Sequence, residues 1–532
     1  MTCAGYVPAA AALPLAQAFL LLLWLAMGAF VASAAAQTGA PAAPHTPDPC
    51  TSGQEFATTD CTLTWHGITL YGAYDVGFGW VSHGLPENGY NYEGASLVNR
   101  NGYQHRFLVE PNNLQQTGVG IRGKEEFVHG WSVVFNASTG VNPQSGLLAN
   151  ASATDTINNG LPRGSYSYAI DGARAGQPFN DEVYGGISST HFGTLTFGRQ
   201  RSLGTDAMLL YDPAGGSYAF SYIGYNGTMA GGGDTENSRW DDAVKYRLAY
   251  GPVHFGAMYK FADGNGGCYS ATAGWTAADC TPESAHNNAF GFDLGGEYHK
   301  FSADILYQHY NQAISVLNPL LGPESTSSAG LYQSTTDSIN TNPINGGPGL
   351  GPNLIDPNNT VYGIVTDNNG IIVATKYAWN PLKFFAGYEY IWQNNPKNPL
   401  GVGASDQGGY FMSGVEDNNL DSEKLVNIWW TGVKYAYDNK TDITLSWYQQ
   451  RQNTFRVPPT CVPGNFRSSC AGTLNEGSLY ADHYFTKRFD GFIGLAYSYV
   501  TGGLAIAIPH GPGVPYLHNN NFAPTVGGRF TF

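Results

Sequence analysis

The chain has 532 residues and a net charge of −15, yet only 12% of its residues are Asp, Glu, Lys or Arg, while Gly counts 69, Tyr 34 and aromatic residues 14%. That charge content is about half the usual share. It excludes a disordered chain, which needs high charge and few aromatics, a basic nucleic-acid binder, and a coiled coil rich in Glu, Lys and Leu. Low charge with abundant Gly, Tyr and Asn fits a large β-protein whose outer face need not meet water.

In chain order, residues 1–36 come first. They hold the run Phe19-Leu20-Leu21-Leu22-Leu23-Trp24-Leu25, then the small residues Ala32-Ser33-Ala34-Ala35-Ala36. An apolar core before an A-x-A-like site predicts a signal peptide cleaved after Ala36. Met1 to Gln17 contains no Lys or Arg, and a permanent anchor is the alternative. Residues 37–62 read as a periplasmic N-terminal extension. Cys3 leaves with the signal, and the other six cysteines form three local pairs: Cys50 with Cys61, Cys268 with Cys280, Cys461 with Cys470. An even number in an exported chain predicts disulfides. No spacing suits zinc, and neither a metal nor a cofactor is expected.

From residue 63 to the end the hydrophobic pattern has period two. Ile68-Thr69-Leu70-Tyr71-Gly72-Ala73-Tyr74-Asp75-Val76-Gly77 sets the type, a strand with one apolar face. Strands are predicted near 65–82, 115–127, 131–141, 181–190, 193–201, 242–250, 253–261 and 288–299. Eight more follow near 301–311, 371–379, 382–392, 425–437, 441–451, 476–486, 490–500 and 523–532. Short and long connections alternate strictly, from Val128-His129-Gly130 (short) and 142–180 (long) onward. The longest, 312–370, is a Gly/Pro/Asn/Ser-rich low-complexity stretch. Short turns at one end and long loops at the other, with an even strand count, predict an all-β fold: a 16-stranded antiparallel transmembrane β-barrel over 63–532.

The faces follow from charge. Leu382, Phe384, Ala386, Tyr388, Tyr390 and Trp392 share one face of their strand, and Lys383, Gly387 and Glu389 the other. An ionised group facing lipid at mid-depth costs about 2–4 kcal/mol, so the charges look into a wet interior. Trp65, Trp80, Trp379 and Trp392 lie near strand ends, where an interfacial girdle and simple β-propensity are competing explanations.

Five stretches carry a family likeness. They are Ile68 to Asp75; Gly120-Ile121-Arg122-Gly123-Lys124-Glu125; Tyr184 to Gln200 with Phe192-Gly193-Thr194-Leu195-Thr196-Phe197-Gly198-Arg199-Gln200; Phe485-Thr486-Lys487-Arg488; and the terminal Phe532. In this order they resemble the trimeric outer-membrane porins of Gram-negative bacteria, of the β-proteobacterial type. The resemblance implies a homotrimer in outer-membrane lipid, and a third outer loop folded into the barrel, here about 202–241. It also implies a C-terminal aromatic signal, Phe530 and Phe532, read by the outer-membrane insertion machinery. Acidic loop residues facing a cluster of inward arginines would form the constriction. The expected set is Arg122, Lys124, Asp181, Glu182, Arg199, Arg201, Asp206, Asp212, Arg239, Asp241 and Lys245. Two basic positions of the family pattern are lost, at Gly118 and Asp181.

The implied function is a water-filled channel for passive diffusion of small hydrophilic solutes and ions. The alternative is a substrate-specific channel for a sugar or organic acid, with Tyr211, Tyr218, Phe220, Tyr222 and Tyr225 as a stacking track. Packing of those aromatics against the barrel wall is the expected outcome. A barrel enzyme is disfavoured, because none of the 13 histidines sits in a recognisable nucleophile motif. Between Arg199 and Asp242 acids outnumber bases, with Asp206, Asp212, Asp234, Glu236, Asp241 and Asp242 against Arg199, Arg201 and Arg239. That balance predicts a preference for cations.

Overall fold

A strand with one apolar and one polar face must bury one and wet the other, and a sheet that closes on itself does both without leaving an edge. The structure, a computed structural model, describes residues 48–84, 104–111, 113–141, 143, 179–225, 239–261, 288–311, 315–317, 362–364, 367–394, 421–455, 461, 470–502 and 520–532. The expected signal segment 1–36 and the expected Cys268–Cys280 pair lie outside the described residues.

In chain order the strands are β1 (Leu63–Trp65), β2 (Ile68–Gly84), β3 (Gln104–Pro111), β4 (Gly118–Val128), β5 (Trp131–Gly140), β6 (Glu182–Ser189) and β7 (Gly193–Arg201). Next are β8 (Arg239–Tyr250), β9 (Val253–Lys260), β10 (Ala289–Tyr298), β11 (Phe301–Tyr310) and a small ribbon, β12 (Ser315–Leu317) with β13 (Tyr362–Ile364). Then come β14 (Asp367–Trp379), β15 (Leu382–Asn394), β16 (Lys424–Ala436), β17 (Thr441–Gln452), β18 (Gly472–Tyr484), β19 (Phe489–Gly502) and β20 (Asn520–Thr531). Every neighbour is antiparallel, and β20 returns to pair with β2, so the sheet is closed. β3 and β4 are two halves of one strand opposite β2, because Val76 to Gly84 pair with β3 and Ile68 to Ala73 with β4. Counted so, and leaving out the β1 flap, the wall has sixteen strands. No helix among the described residues is long and apolar enough to cross a membrane; the strands do the crossing.

Two boundaries differ from the sequence reading. The first expected strand, 65–82, is broken at His66 and Gly67, whose φ values of 47° and 78° turn the chain so that β1 folds back on β2. The stretch 83–114, expected as loop, contains β3. The cause of the β3–β4 break is Asp75, buried in the wall. Its carboxylate accepts the backbone N–H groups of Asn113 (3.0 Å), Leu114 (2.7 Å) and Gln115 (2.9 Å). Three donors drawn to one carboxylate cannot also serve the strand ladder.

Along most of the described wall strands the alternation holds. Phe78, Phe197, Leu445 and Ile493 are more than half exposed on the outside, while Asp75, Asp293, Asp304 and Glu389 are buried on the inside. The expected division of β15 is observed: Phe385, Glu389, Ile391 and Gln393 are buried within, and Phe384 and Ala386 exposed without. Aromatic rings gather near the turns, as in the pairs Trp131–Phe192 (5.9 Å) and Phe485–Phe489 (5.4 Å). A second group lies toward the long loops, with Trp80–Phe522 (6.5 Å) and Tyr307–Trp392 (6.1 Å). Two levels of aromatics are what an interfacial girdle requires.

Residues 48–62 hold the short helix α1 (Gly53–Thr58), capped by Ser52 and cinched by the Cys50–Cys61 disulfide. Arg488, in the β18–β19 turn, donates to the Phe56 and Cys61 carbonyls and lies over the Phe56 ring. Phe56 in turn meets Phe530 edge-on at 6.3 Å. Phe532 exchanges backbone hydrogen bonds with Gly72, and its ring lies where a Cβ on residue 72 would sit. The N-terminal extension and the last strand therefore meet at one rim. Cys461 and Cys470 are also bonded.

Candidate pore constriction

After β7 the chain enters the barrel. Ser202 caps helix α2 (Leu203–Tyr211) by accepting from Thr205 N–H at 3.2 Å. Leu203, Ala207, Met208 and Tyr211 are buried at helical spacing. They pack on Met258, Leu306, Ile372, Ile391, Ile428, Trp430 and Tyr448, inward residues of β9 to β17. The opposite face of α2 presents Asp206, Leu209 and Leu210 to the lumen, with Leu209 36% and Leu210 42% exposed.

The loop then continues along the wall. Trp430 Nε1 donates to the Tyr211 carbonyl (3.1 Å), and the Tyr211 hydroxyl donates to Asp304 (2.8 Å). Phe220 stacks on Tyr480 at 4.6 Å, and Ser478 donates to its carbonyl. Ser217 Oγ and Ala219 N–H both donate to the Asn113 carbonyl, in the bulge built around Asp75. Tyr211, Phe220 and Tyr222 are fully buried: they pack the loop to the wall, as expected. Loop three is a belt around the inside, fastened from β8 to β2.

Its charged fastening is a chain of ion pairs. Arg201 contacts Asp181 (3.3 Å) and its N–H donates to Glu182 (3.1 Å); Arg239 also binds Asp181. Asp206, in the first turn of α2, accepts from Lys245 (2.5 Å) and Arg247 (2.6 Å). Arg247 continues to Asp293, and His254 meets Asp304 at 3.1 Å. Burial pushes the Asp206 carboxyl up, but Lys245 and Arg247 outweigh it and hold the group below its ordinary range.

One expected constriction residue lies elsewhere. Asp212 is 2% exposed and faces the wall, where it accepts from Tyr448 (2.6 Å), Gly216 N–H (2.6 Å) and Ala214 N–H (3.2 Å). It closes the turn after α2 and does not line the lumen. Arg199 is buried; it pairs with Asp241 (2.5 Å) and donates to the Asn180 carbonyl (3.0 Å) where the β7–β8 register shifts past Gly198. Arg247, Asp293, Asp304 and His254 were missed by the expected set. Their inward parity on β8 to β11 was readable, but which carboxylate meets which base depends on the stagger between strands.

Opposite the belt, the wall of β2 and β4 to β6 stays polar. Tyr71 OH donates to Asn136 (2.6 Å), and Asn136 Nδ2 to Glu182 (3.2 Å). The Arg122 guanidinium lies 5.0 Å from the Tyr71 ring centroid. Arg122 and Lys124 are exposed and form no ion pair among the described residues. The acid excess of the sequence is therefore largely cancelled in the described part of the constriction.

The sequence profile of the Gram-negative porins matches residues 23–503. The chain belongs to the Gram-negative porin family. Its place is accordingly the outer membrane. An outer membrane porin protein of Bordetella pertussis is 25% identical over 197 residues, 37% of this chain. The match spans 43% of that relative's length. Among solved structures, an anion-selective porin from Comamonas acidovorans superposes with a TM-score of 0.52 at 13% identity, covering 87% of this chain and 99% of that one. OmpT of Vibrio cholerae, in a loop-deleted form, superposes with a TM-score of 0.48 at 11% identity over 87% of this chain and 99% of that one.

Proposed function

We propose that this porin forms a water-filled channel through the outer membrane for passive diffusion of small hydrophilic solutes and ions, and that it is not an enzyme. The observation that carries this reading is the one-sided packing of the lumen. The belt covers the inner wall from β8 to β19 and leaves the Tyr71, Arg122, Lys124 and Glu182 side polar. Such a lumen conducts hydrated solutes and gives the transverse charges a place to sort them. In this proposal residues 1–36 are removed on export, 37–62 cap the periplasmic rim, and three copies assemble in outer-membrane lipid. Phe530 and Phe532 address the chain to the insertion machinery.

A substrate-specific channel for a sugar or organic acid is the second reading. Leu209 and Leu210, exposed on the lumen face of α2, favour it by offering a passing solute an apolar contact. Purified protein in a planar bilayer should give stepwise, ohmic KCl conductance, and liposomes holding it should admit sugars in order of size. Absence of conductance steps would overturn the channel.

A further inference from the structure

Below the belt, on the wall away from Arg122, three lysines share the inner face. Lys383 of β15 stands directly across from Lys434 of β16. Lys376 of β14 pairs with Phe385, which makes Lys383 its diagonal neighbour. Side chains directly opposite lie about 5 Å apart at Cβ and diagonal ones about 7–8 Å. Lys383 is exposed, and Lys376 and Lys434 are half-buried. None of the three forms an ion pair among the described residues. Lys376 lies 5.7 Å from the Tyr211 ring centroid.

The carboxylates around them are Asp304, Asp442 and Asp482 on neighbouring strands and Asp212 of the belt; Asp442, Asp482 and Asp212 attract Lys434 from beyond ion-pair distance. Asp304 is taken by His254 and Tyr211, and Asp482 by Arg529. Asp442 lies across from Ala436, one diagonal step from Lys434 and beyond ion-pair distance. Like charges directly opposite in a sheet repel. A cluster that keeps this repulsion, beside water and with no carboxylate in ion-pair contact among the described residues, holds a local excess that solute anions can neutralise.

We infer that Lys376, Lys383 and Lys434 form a binding station for small organic dianions, such as dicarboxylates, at the periplasmic end of the lumen. The lysines sit one to three residues along the ladder from the Trp379–Leu382 turn, so the station lies past the belt for an entering solute. Two carboxylates a few ångströms apart can meet the Lys383–Lys434 pair and Lys376 together, and a monocarboxylate can meet only one of these at a time. The inference deepens the channel reading and rests on it, for it names an organic acid as the solute class.

The test is succinate against acetate at equal ionic strength, pH 7.5, added on the periplasmic side of channels in dilute KCl. Succinate should reduce or flicker the wild-type current at concentrations where acetate does not. Lys383→Gln, an exposed position that folding tolerates, should weaken the block about fivefold, the size of one solvent-exposed charge contact at 4 Å in water. The triple Lys→Gln variant should abolish it, and Lys383→Arg with Lys434→Arg should retain it. Block that is equal in wild type and Lys383→Gln, or equal for succinate and acetate, overturns the station while leaving the channel standing. Absence of KCl conductance in the wild type would instead overturn the channel itself.

Discussion

The two sides of this barrel obey different rules. Under loop three the inner wall is a protein interior: Met258, Leu306, Ile372, Ile428, Trp430 and Leu474 are at most 4% exposed and bury α2 as a core helix would be buried. Across the lumen, Tyr71, Asn136 and Glu182 are linked by hydrogen bonds, and the exposed Arg122 lies over the Tyr71 ring. The difference shows that a barrel wide enough for sixteen strands need not be uniformly wet. One segment of chain, drawn inward, converts half the lumen into core and leaves the passage off-centre.

The sharpest way to break the comparison is to spoil the packed side. Trp430→Ala removes a 2%-exposed indole that also donates to the Tyr211 carbonyl. The loss is about 3–5 kcal/mol, typical of large aromatic truncations. The expected outcome is a lower unfolding temperature by heat-modifiability on gels and a larger, noisier single-channel conductance as the belt loosens. Unchanged conductance with unchanged stability would mean that the belt does not depend on this wall.

The Cys461–Cys470 bridge tests the same side from above. It closes the loop between β17 and β18, and Gln452 donates to the buried Cys470 carbonyl at 2.8 Å. Replacing both cysteines by serine should cost about 2–3 kcal/mol of local stability for a ring of this length. Limited proteolysis should then cut within 453–471, while conductance stays as in wild type because the belt seals the wall beneath.

Most of the fold was legible in the sequence because period two is strict: Leu382 to Trp392 show their outward face without any knowledge of their neighbours. The strand ends were less legible. His66 and Gly67 make a turn inside an unbroken β-pattern, and Gln104–Pro111 extends a strand across a region that reads as loop until Asp75 draws 113–115 inward. The site was legible in composition and not in pairing. Asp206 and Arg239 were recognisable as constriction candidates, but Asp212, in the same loop, turns to Tyr448 instead. Whether a loop acid faces water or wall depends on the helical phase of α2 and on a partner 236 residues away.

The charged fastening lies where the two sides meet. Asp206→Asn leaves Lys245 and Arg247 short of a counter-charge. The expected cost is about 2 kcal/mol, below that of a fully buried pair because Asp206 and Arg247 are each a third exposed. The sign of the pH effect follows from the depressed Asp206 carboxyl. Its stabilising contribution is complete above the unfolded value near 4 and fades as pH falls through the lower folded value. Conductance set by the belt should therefore hold from pH 7 to about 4 and change only in stronger acid. Asp206→Asn should show the altered conductance already at pH 7. An onset of the wild-type change near pH 6 would point to another group.

The smallest effect tests the open side. Acids in the 199–242 stretch suggested a cation-preferring pore, yet Asp206 is bound by two bases, Asp212 faces the wall and Asp241 pairs with Arg199. Asp181 is held by Arg201 and Arg239. Arg122 and Lys124 then supply free charge on the lumen wall, opposing whatever negative potential the acidic outer loops add. The expected wild-type channel is weakly selective, and Arg122→Gln with Lys124→Gln should move its reversal potential toward cations. Screening decides where the shift is visible: the field reaches about 10 Å at 0.1 M salt and about 3 Å at 1 M. In dilute KCl the remote loop charge and the wall charge both count. In concentrated KCl only charge at the passage itself survives, so a shift that persists at 1 M places Arg122 and Lys124 at the narrowest point. A shift confined to dilute salt places them in the wider part of the lumen, and no shift at either salt would remove the open wall from ion selection.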